Sequence, residues 1–364
     1  MSKKPKLCFI ANGVSIYTKK WVNHFAQNGY ETHLISFSLT PDGYDDKVVL
    51  HSLNKHLPQN HLNGLLWLIQ TRLLIKKIKP DILHTHSITI LSFLGMMTGF
   101  RPLIMQAWGS DVMVAPSKSK LTKNLVTIAL GRADVIITTS PYLKEYLYEN
   151  FDSSFDKVKV IPIGINLDIF KKVSTVHDFT ILSPRALKSH YRIENIVKAM
   201  PQVIAKYPST TLIILNSSMV KDDTYTDKIE ALISDLGIKD NITLISDRQS
   251  PSDMAEKYNA SNALISIPKT DQFASSIQEG MACGVLPIVG DLEVYKLYLT
   301  HGYNALFVDP ESPKDIADAV IHCIENPDLK ERFYEINRQL IIEHEDWTKN
   351  IKRLEELYSE YTPI

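Results

Sequence analysis

The chain has 364 residues, 44% of them hydrophobic, which is enough apolar material for two cores and long for one. Its 40 Lys and Arg against 41 Asp and Glu leave a net charge of −1, so nothing global argues for nucleic acid as a partner. Cys8, Cys283 and Cys323 have neither metal-ligand nor disulfide spacing, which fits a reducing cytoplasm. No signal-peptide core precedes the first strand-like run. The longest apolar run, 88–100, is shorter than the roughly 20 residues that cross a bilayer. These features predict a cytoplasmic protein, with a peripheral place at the inner face of the cell membrane left open.

Apolar runs at 7–11, 32–37, 48–50, 82–85, 102–107, 135–139 and 158–163 predict strands. Helix-period segments at 17–28, 62–77, 121–131 and 142–149 lie between most of them. Such alternation predicts a parallel sheet covered on both faces. The polar patch 171–178 reads as a linker. A second alternation follows, with strands at 179–183, 211–216, 242–246, 263–267, 285–289 and 305–308 and helices between. An amphipathic helix over 347–361 places Ile351, Leu354, Leu357 and Tyr358 on one face. The reading is α/β: a Rossmann-like domain over 1–170, a second over 171–345, and a terminal helix over 346–364.

Residues 271–284, Asp-Gln-Phe-Ala-Ser-Ser-Ile-Gln-Glu-Gly-Met-Ala-Cys-Gly, follow one of these strands and carry two carboxylates eight positions apart. A strand, a loop of small residues and a helix let a ligand approach the backbone, and the helix N-terminus favours a phosphate. An acid inside the helix can accept from a ribose diol, and one on the loop can hold a sugar hydroxyl. Two acids at this spacing also arise by chance.

The segment resembles the Glu-x7-Glu signature of the retaining glycosyltransferases of family 4. Asp271 stands at the first acid, Phe273 at its Phe, Glu279 at the second acid, and Met281-Ala282-Cys283-Gly284 match outright. Asp for Glu at 271, Ala274 for Gly and Ser275-Ser276 for Leu-Pro depart from it. The resemblance spans nearly the whole chain. It implies the GT-B architecture: two Rossmann-like domains facing across a cleft, an acceptor-binding first domain, a donor-binding second domain, and a C-terminal helix crossing back to the first. It also implies that Glu279 holds the donor ribose and Asp271 the sugar's 3- and 4-hydroxyls. Backbone N–H groups of Phe273, Ala274, Ser275, Ser276 and Gly13 would complete the diphosphate site.

Arg185 follows the first strand of the second domain, where an open α/β sheet collects ligands, and a guanidinium there can grip a diphosphate. The family carries a Lys about five residues after this Arg; here that position is His190, so Lys188, Arg192 or His190 is left to supply the second cation. Gly13 lies after the first strand, in a stretch Ser15-Ile16-Tyr17-Thr18-Lys19-Lys20-Trp21 that resembles one branch of the family. Trp108, in Trp108-Gly109-Ser110-Asp111, replaces the family's His near the reacting sugar. Trp cannot act as acid or base, which leaves Trp108 as a wall of the sugar pocket and Asp111 as a holder of acceptor or of backbone. His84 and His86 share one face of a strand by alternation, and structural or acceptor-site use is favoured over a metal. Arg248 is a candidate to stack on the base. The chain contains no Asp-x-Asp, and Arg185 with helix dipoles makes a metal unnecessary.

The expected function is retaining, metal-independent transfer of a sugar from a nucleoside diphosphate donor, taken as UDP-linked, to an envelope glycan or lipid-linked acceptor. A nucleotide-sugar epimerase and a non-catalytic nucleotide-sugar-binding subunit are the alternatives. A basic, apolar zone joins Leu65, Leu66, Trp67, Leu68, Leu73, Leu74 and Ile75 to Lys76, Lys77 and Lys79, with Lys118, Lys120 and Lys123 following. It reads either as an anionic-membrane contact or as a core-facing helix with a solvated end.

Overall fold

The computed structural model describes residues 4–53, 61–151, 155–173, 178–216, 222–247 and 249–361. They belong to two compact units, Met1–Ile163 with Asn350–Ile364, and Gly164–Lys349.

In the first unit the strands are β1 Leu7–Ile10, β2 Thr32–Ser36, β3 Val48–Ser52, β4 Ile82–His86, β5 Leu103–Gln106, β6 Val135–Thr138 and β7 Val158–Val160. All pair in parallel, in the order β3-β2-β1-β4-β5-β6-β7. Strands β1, β4, β5 and β6 are buried throughout; β1, β5 and β6 are nearly all apolar, as burial of both faces favours, while β4 carries His84, Thr85 and His86. The helices are α1 Ile16–Gln27, α2 His61–Ile78, α3 Ile90–Met97, α4 Ser110–Met113, α5 Lys120–Arg132 and α6 Pro141–Phe151. Side-chain alternation sorts the two faces. Cys8, Ile10 and Leu83 join Ile75, Leu94, Val126 and Leu147, from α2, α3, α5 and α6, in one core. Phe9 and His84 lie on the opposite face, against Phe25 and Trp21 of α1.

In the second unit the strands are β8 Thr180–Ser183, β9 Thr211–Leu215, β10 Ile242–Ile245, β11 Ala263–Ser266, β12 Leu286–Gly290 and β13 Leu306–Val308. They too are parallel, in the order β10-β9-β8-β11-β12-β13. The helices are α7 Ile193–Lys206, α8 Asp223–Asp235, α9 Pro251–Asn259, α10 Ser275–Ala282, α11 Glu293–Lys296, α12 Pro313–Glu325 and α13 Asp328–His344, while the terminal helix α14 Trp347–Glu360 belongs to the first unit from Asn350 on. Pro287 sits inside β12, yet pairing with β13 begins only at Ile288. Strand order reverses between β1 and β4 in one sheet and between β8 and β11 in the other, and ligands of open α/β sheets gather outside such points.

Every strand expected from sequence is present, with ends shifted by up to three residues. The change of unit falls at 163/164 rather than at 170/171. Ile165 bridges to Asp346, and Gly164, at φ +73°, lies so close to Trp347 that an added Cβ would meet its backbone N at 2.8 Å. Of the expected linker, 174–177 lie outside the described residues. Its start is anchored, because Asn259 accepts from the Val173 N–H at 2.8 Å and donates to the Lys171 carbonyl at 3.0 Å. Within the first unit α14 is held by polar contacts: Tyr358 O–H meets His84 Nδ1 at 2.6 Å and Glu355 meets His24 at 3.1 Å.

Candidate active site

Arg185 follows β8 and Asp271 follows β11, so the two residues flank the point where strand order reverses in the second unit. Their side chains pair, Arg185 Nη2 to Asp271 Oδ2 at 3.0 Å, with only 12% and 14% of the side chains exposed. Arg185 also donates to Ser276 Oγ at 3.2 Å and lies over the Tyr191 ring at 4.4 Å. Asp271 accepts from Tyr295 O–H at 2.9 Å and from the Gln272 N–H at 2.9 Å. Burial opposes the guanidinium charge, but Asp271, with Tyr191 and Tyr295, outweighs it and holds the Arg185 pKa above its ordinary value. Burial, then the Asp271 charge, push the Tyr295 hydroxyl well up, so it remains a donor.

The α10 helix is seated by Gly280, where an added Cβ would stand 2.2 Å from Leu264 Cδ2 of β11. No side chain caps the helix N-terminus at Ala274. Phe273 stacks on Tyr298 with ring centroids 4.3 Å apart and planes 7° apart, and its carbonyl accepts from Gln278 Nε2 at 2.9 Å. Asp271, Ala274, Ser275, Ser276 and Glu279 are all half-buried, which leaves the start of the helix within reach of a ligand. Glu279, one turn inside, accepts from Tyr258 O–H at 3.1 Å. Burial, then the Glu279 charge, raise the pKa of that buried hydroxyl well above the ordinary value.

His190 fastens the loop after β8 to the loop after β11. Its Nε2 meets the Thr270 carbonyl at 2.8 Å, and its own carbonyl accepts from Lys269 N–H at 2.9 Å. Lys188 is half-buried and forms no ion pair among the described residues. Arg192 is engaged away from Arg185, donating to Glu311 at 2.6 Å and to the Ile267 carbonyl at 3.4 Å. Arg248 lies outside the described residues.

In the first unit, glycine at 13 answers a contact within the chain. An added Cβ would meet Leu39 Cδ2 at 2.4 Å and the Ser38 carbonyl at 2.6 Å. The Gly13 N–H is donated to Ser36 Oγ at 2.9 Å, and its carbonyl accepts from Tyr44 O–H at 2.6 Å. Asp111 takes the second of its two expected roles. It accepts from the backbone N–H groups of Ile88, Trp108 and Gly109 at 2.7, 3.0 and 2.9 Å, and so fixes the turn where Gly109 has φ +108°. Burial pushes its carboxyl up, against the pull of those N–H groups. Trp108 stacks with Tyr17 at 5.7 Å, and His86 packs edge-on beneath Trp108 at 5.7 Å. Burial pulls the His86 pKa down to about 3, so its ring is neutral at physiological pH. His84 and His86 are indeed neighbours, with rings 4.9 Å apart, but among the described residues no group of three or more His, Cys, Asp or Glu is placed to hold a metal.

A family model described as Glycosyl transferase 4-like matches residues 6–140, and one described as Glycosyl transferases group 1 matches residues 165–340. The chain belongs to the GT-B glycosyltransferases. An uncharacterised glycosyltransferase of Methanocaldococcus jannaschii is 23% identical to it, over 96% of this chain and 94% of the relative. Sucrose-phosphate synthase from Thermosynechococcus elongatus has a similar fold, with TM-score 0.83 at 17% identity, covering 98% of this chain and 99% of that one. HepE from Anabaena, in complex with UDP-glucose, gives a TM-score of 0.81 at 14% identity, covering 98% and 100%. Among the described residues no helix is long and apolar enough to cross a membrane.

Within this cluster around Arg185, sequence reasoning found the charges and missed their partners. Tyr191, Tyr258 and Tyr295 set the positions of Arg185, Glu279 and Asp271, yet they come from three separate elements. No spacing in the sequence announces them. The geometry offers a cation, an uncapped helix N-terminus and two fixed carboxylates, in which a diphosphate, a sugar and a ribose can each find complementary groups.

Proposed function

We propose that this glycosyltransferase moves a sugar with retention from a UDP-linked donor to an envelope glycan or lipid-linked acceptor, without a metal. The observation that carries the reading is the Arg185–Asp271 pair beside the uncapped start of α10, with Glu279 one turn further on. Arg185 and the helix N-terminus stabilise the charge that builds on the departing diphosphate, with Lys188 as the second cation. Asp271 holds donor-sugar hydroxyls and Glu279 the ribose diol. The likeness to HepE, which was solved with UDP-glucose, supports UDP as the nucleotide. We assign no nucleophile to the side chains of the cluster among the described residues. Attack therefore comes on the face from which the diphosphate leaves, and a diphosphate oxygen takes the acceptor's proton. Catalysis is then mostly orientation and electrostatics.

The test is thermal unfolding with a panel of nucleotide sugars, followed by transfer assays with and without EDTA. A ligand at 100 times its Kd adds about 2.7 kcal/mol, enough to raise Tm by about 5 °C or more. Failure of every UDP-sugar to stabilise the protein overturns the donor assignment, and strict dependence on Mg²⁺ or Mn²⁺ overturns the metal-free mechanism. An epimer formed without acceptor would make the protein an epimerase. Donor binding with neither transfer nor hydrolysis would make it a binding subunit.

A further inference from the structure

Glu345 is a buried acid that the cluster around Arg185 does not use. It follows α13 with 2% of its surface exposed. Its backbone is fixed on both sides: the N–H donates to the Ile341 carbonyl at 2.9 Å, and the carbonyl accepts from the Ile165 N–H at 2.7 Å. Gly164 packs against the same carbonyl, which an added Cβ there would meet at 3.0 Å. The side chain is therefore held inside. An ionised carboxylate without a counter-ion is costly in such a place, and burial pushes this carboxyl up to about 8, so it keeps its proton at neutral pH.

Gln278 of α10 links this acid to the start of its own helix. Only 4% of Gln278 is exposed, and it acts on the Glu345 carboxyl by hydrogen bonding. Its Nε2 donates to the Phe273 carbonyl at 2.9 Å, and because a carbonyl only accepts, this bond fixes which end of the amide carries the N–H. The other end, Oε1, is buried without a hydrogen-bond partner among the described residues. A buried acceptor of this kind calls for a donor, and the neutral Glu345 carboxyl has one O–H to give. The ionised carboxylate has none. It competes with the Phe273 carbonyl for the amide N–H, which is why Gln278 lowers the Glu345 pKa against burial. Tyr298, after α11, also faces Glu345; burial and then the Glu345 charge hold its hydroxyl above the ordinary value, so it stays neutral. Along the chain, exposed Glu343 and His344 pair with each other, and Asp346 accepts from the Thr348 N–H at 2.8 Å. The Tyr298 ring carries the Phe273 ring, so ring and amide together hold Phe273. We infer that Glu345 is a positioning residue for the start of α10: its O–H closes on Gln278 Oε1, the amide is thereby kept on the Phe273 carbonyl, and the turn from Asp271 to Ser276 keeps the shape that receives the donor diphosphate. This rests on the reading of that turn as the diphosphate site. Ionisation draws the amide N–H to the carboxylate and releases the Phe273 carbonyl. The hold is thus present below about pH 8 and is lost as pH rises through that value.

Two measurements on the full chain test it between about pH 7 and about pH 9.5: calorimetry with UDP, and hydrogen exchange of segment 271–282 in the free protein, expressed as protection relative to an unstructured chain at each pH. The wild type should lose about three- to tenfold in UDP affinity, the worth of one hydrogen bond, with a midpoint near pH 8. Protection of 271–282 should fall over the same range. Glu345→Gln keeps a donor for Gln278 Oε1 at every pH, and should hold both affinity and protection at their neutral-pH values throughout. Gln278→Met fills similar space without the amide. It should bind UDP at pH 7 as weakly as the wild type does at the alkaline end, with no further fall, while its Tm still declines with pH because Glu345 still ionises. An alkaline fall that Glu345→Gln leaves in place overturns the inference, and so does a Gln278→Met protein with wild-type affinity and slope. If the wild type binds no UDP at any pH, the diphosphate reading fails, and the protection of 271–282, measured without ligand, decides alone whether Glu345 holds the turn.

Discussion

The Arg185–Asp271 pair is open to a double-mutant cycle with Arg185→Ala, Asp271→Ala and both together. With 12% and 14% of their side chains exposed, both groups have given up most of their hydration. Removing one partner of a fully buried pair costs about 3–5 kcal/mol, because the survivor is a buried charge without compensation. Here each survivor keeps other partners: Asp271 retains Tyr295 O–H and the Gln272 N–H, and Arg185 retains Ser276 Oγ and the Tyr191 ring. Each single substitution should therefore cost about 2–3 kcal/mol, and the double variant about 1.5–2 kcal/mol less than their sum. Urea unfolding followed by circular dichroism reads the cycle. Additivity within about 0.5 kcal/mol would show that the pair is not coupled and that another contact positions Arg185. Turnover separates the functional roles: Arg185→Ala should lose about 10²–10³ in rate with any acceptor. Asp271→Asn should lower turnover without weakening UDP.

Glu279→Ala should weaken UDP by the roughly 1.5–3 kcal/mol of a charged hydrogen-bonded contact, and unchanged affinity by calorimetry in a folded variant would remove the ribose assignment. Glu345, 2% exposed where α13 gives way to α14, has its carboxyl pushed by burial from 4.5 to about 8, against a smaller lowering by Gln278. The unfolded chain ionises it near 4.5, so its contribution is fully present below that pH and is lost as pH rises to about 8. Glu345→Gln should remove up to about 4–5 kcal/mol of this alkaline loss. Parallel Tm-against-pH curves for variant and wild type between pH 5 and 9 would refute it.

Both sheets were legible because parallel strands buried on two faces are written as nearly unbroken apolar runs, and β1, β5 and β6 are of that kind. The charged core of the site was legible for a related reason: Arg185 and Asp271 lie in loops that leave strands and Glu279 in the helix that follows one, so local sequence fixes their place. Tyr295 and Tyr258 were not, because what places them beside Asp271 and Glu279 is the packing of α9 and the segment after β12 on β11 and α10, a tertiary fact. Gly13 and Asp111 show the opposite difficulty. A glycine after a strand and an acid after a glycine have the same local appearance whether they serve a ligand or the chain's own backbone. Here the Gly13 N–H is held by Ser36 and the Asp111 carboxylate by three N–H groups. The apolar zone at 65–75 mixed inward and outward residues, which periodicity alone could not sort because α2 is apolar over most of its circumference.

The pairing of Arg185 with Asp271 bears on how the site would tell an intact nucleotide sugar from its parts. A diphosphate that reaches Arg185 competes with Asp271 for the guanidinium, and the carboxylate repels it. UDP alone would therefore weaken one half of a largely buried pair and give Asp271 little in return beyond Tyr295 and Gln272. A sugar hydroxyl donated to Asp271 supplies the missing partner. The intact donor then replaces the ion pair with a diphosphate on one side and a hydroxyl on the other, leaving neither charge uncompensated. On this argument the two halves of the donor bind cooperatively, and Asp271→Asn should bring the affinities for UDP and for the UDP-sugar closer together. Calorimetry on both ligands, in the wild type and in this variant, decides it. An affinity ratio unchanged by the substitution would mean that Arg185 and Asp271 meet the donor independently.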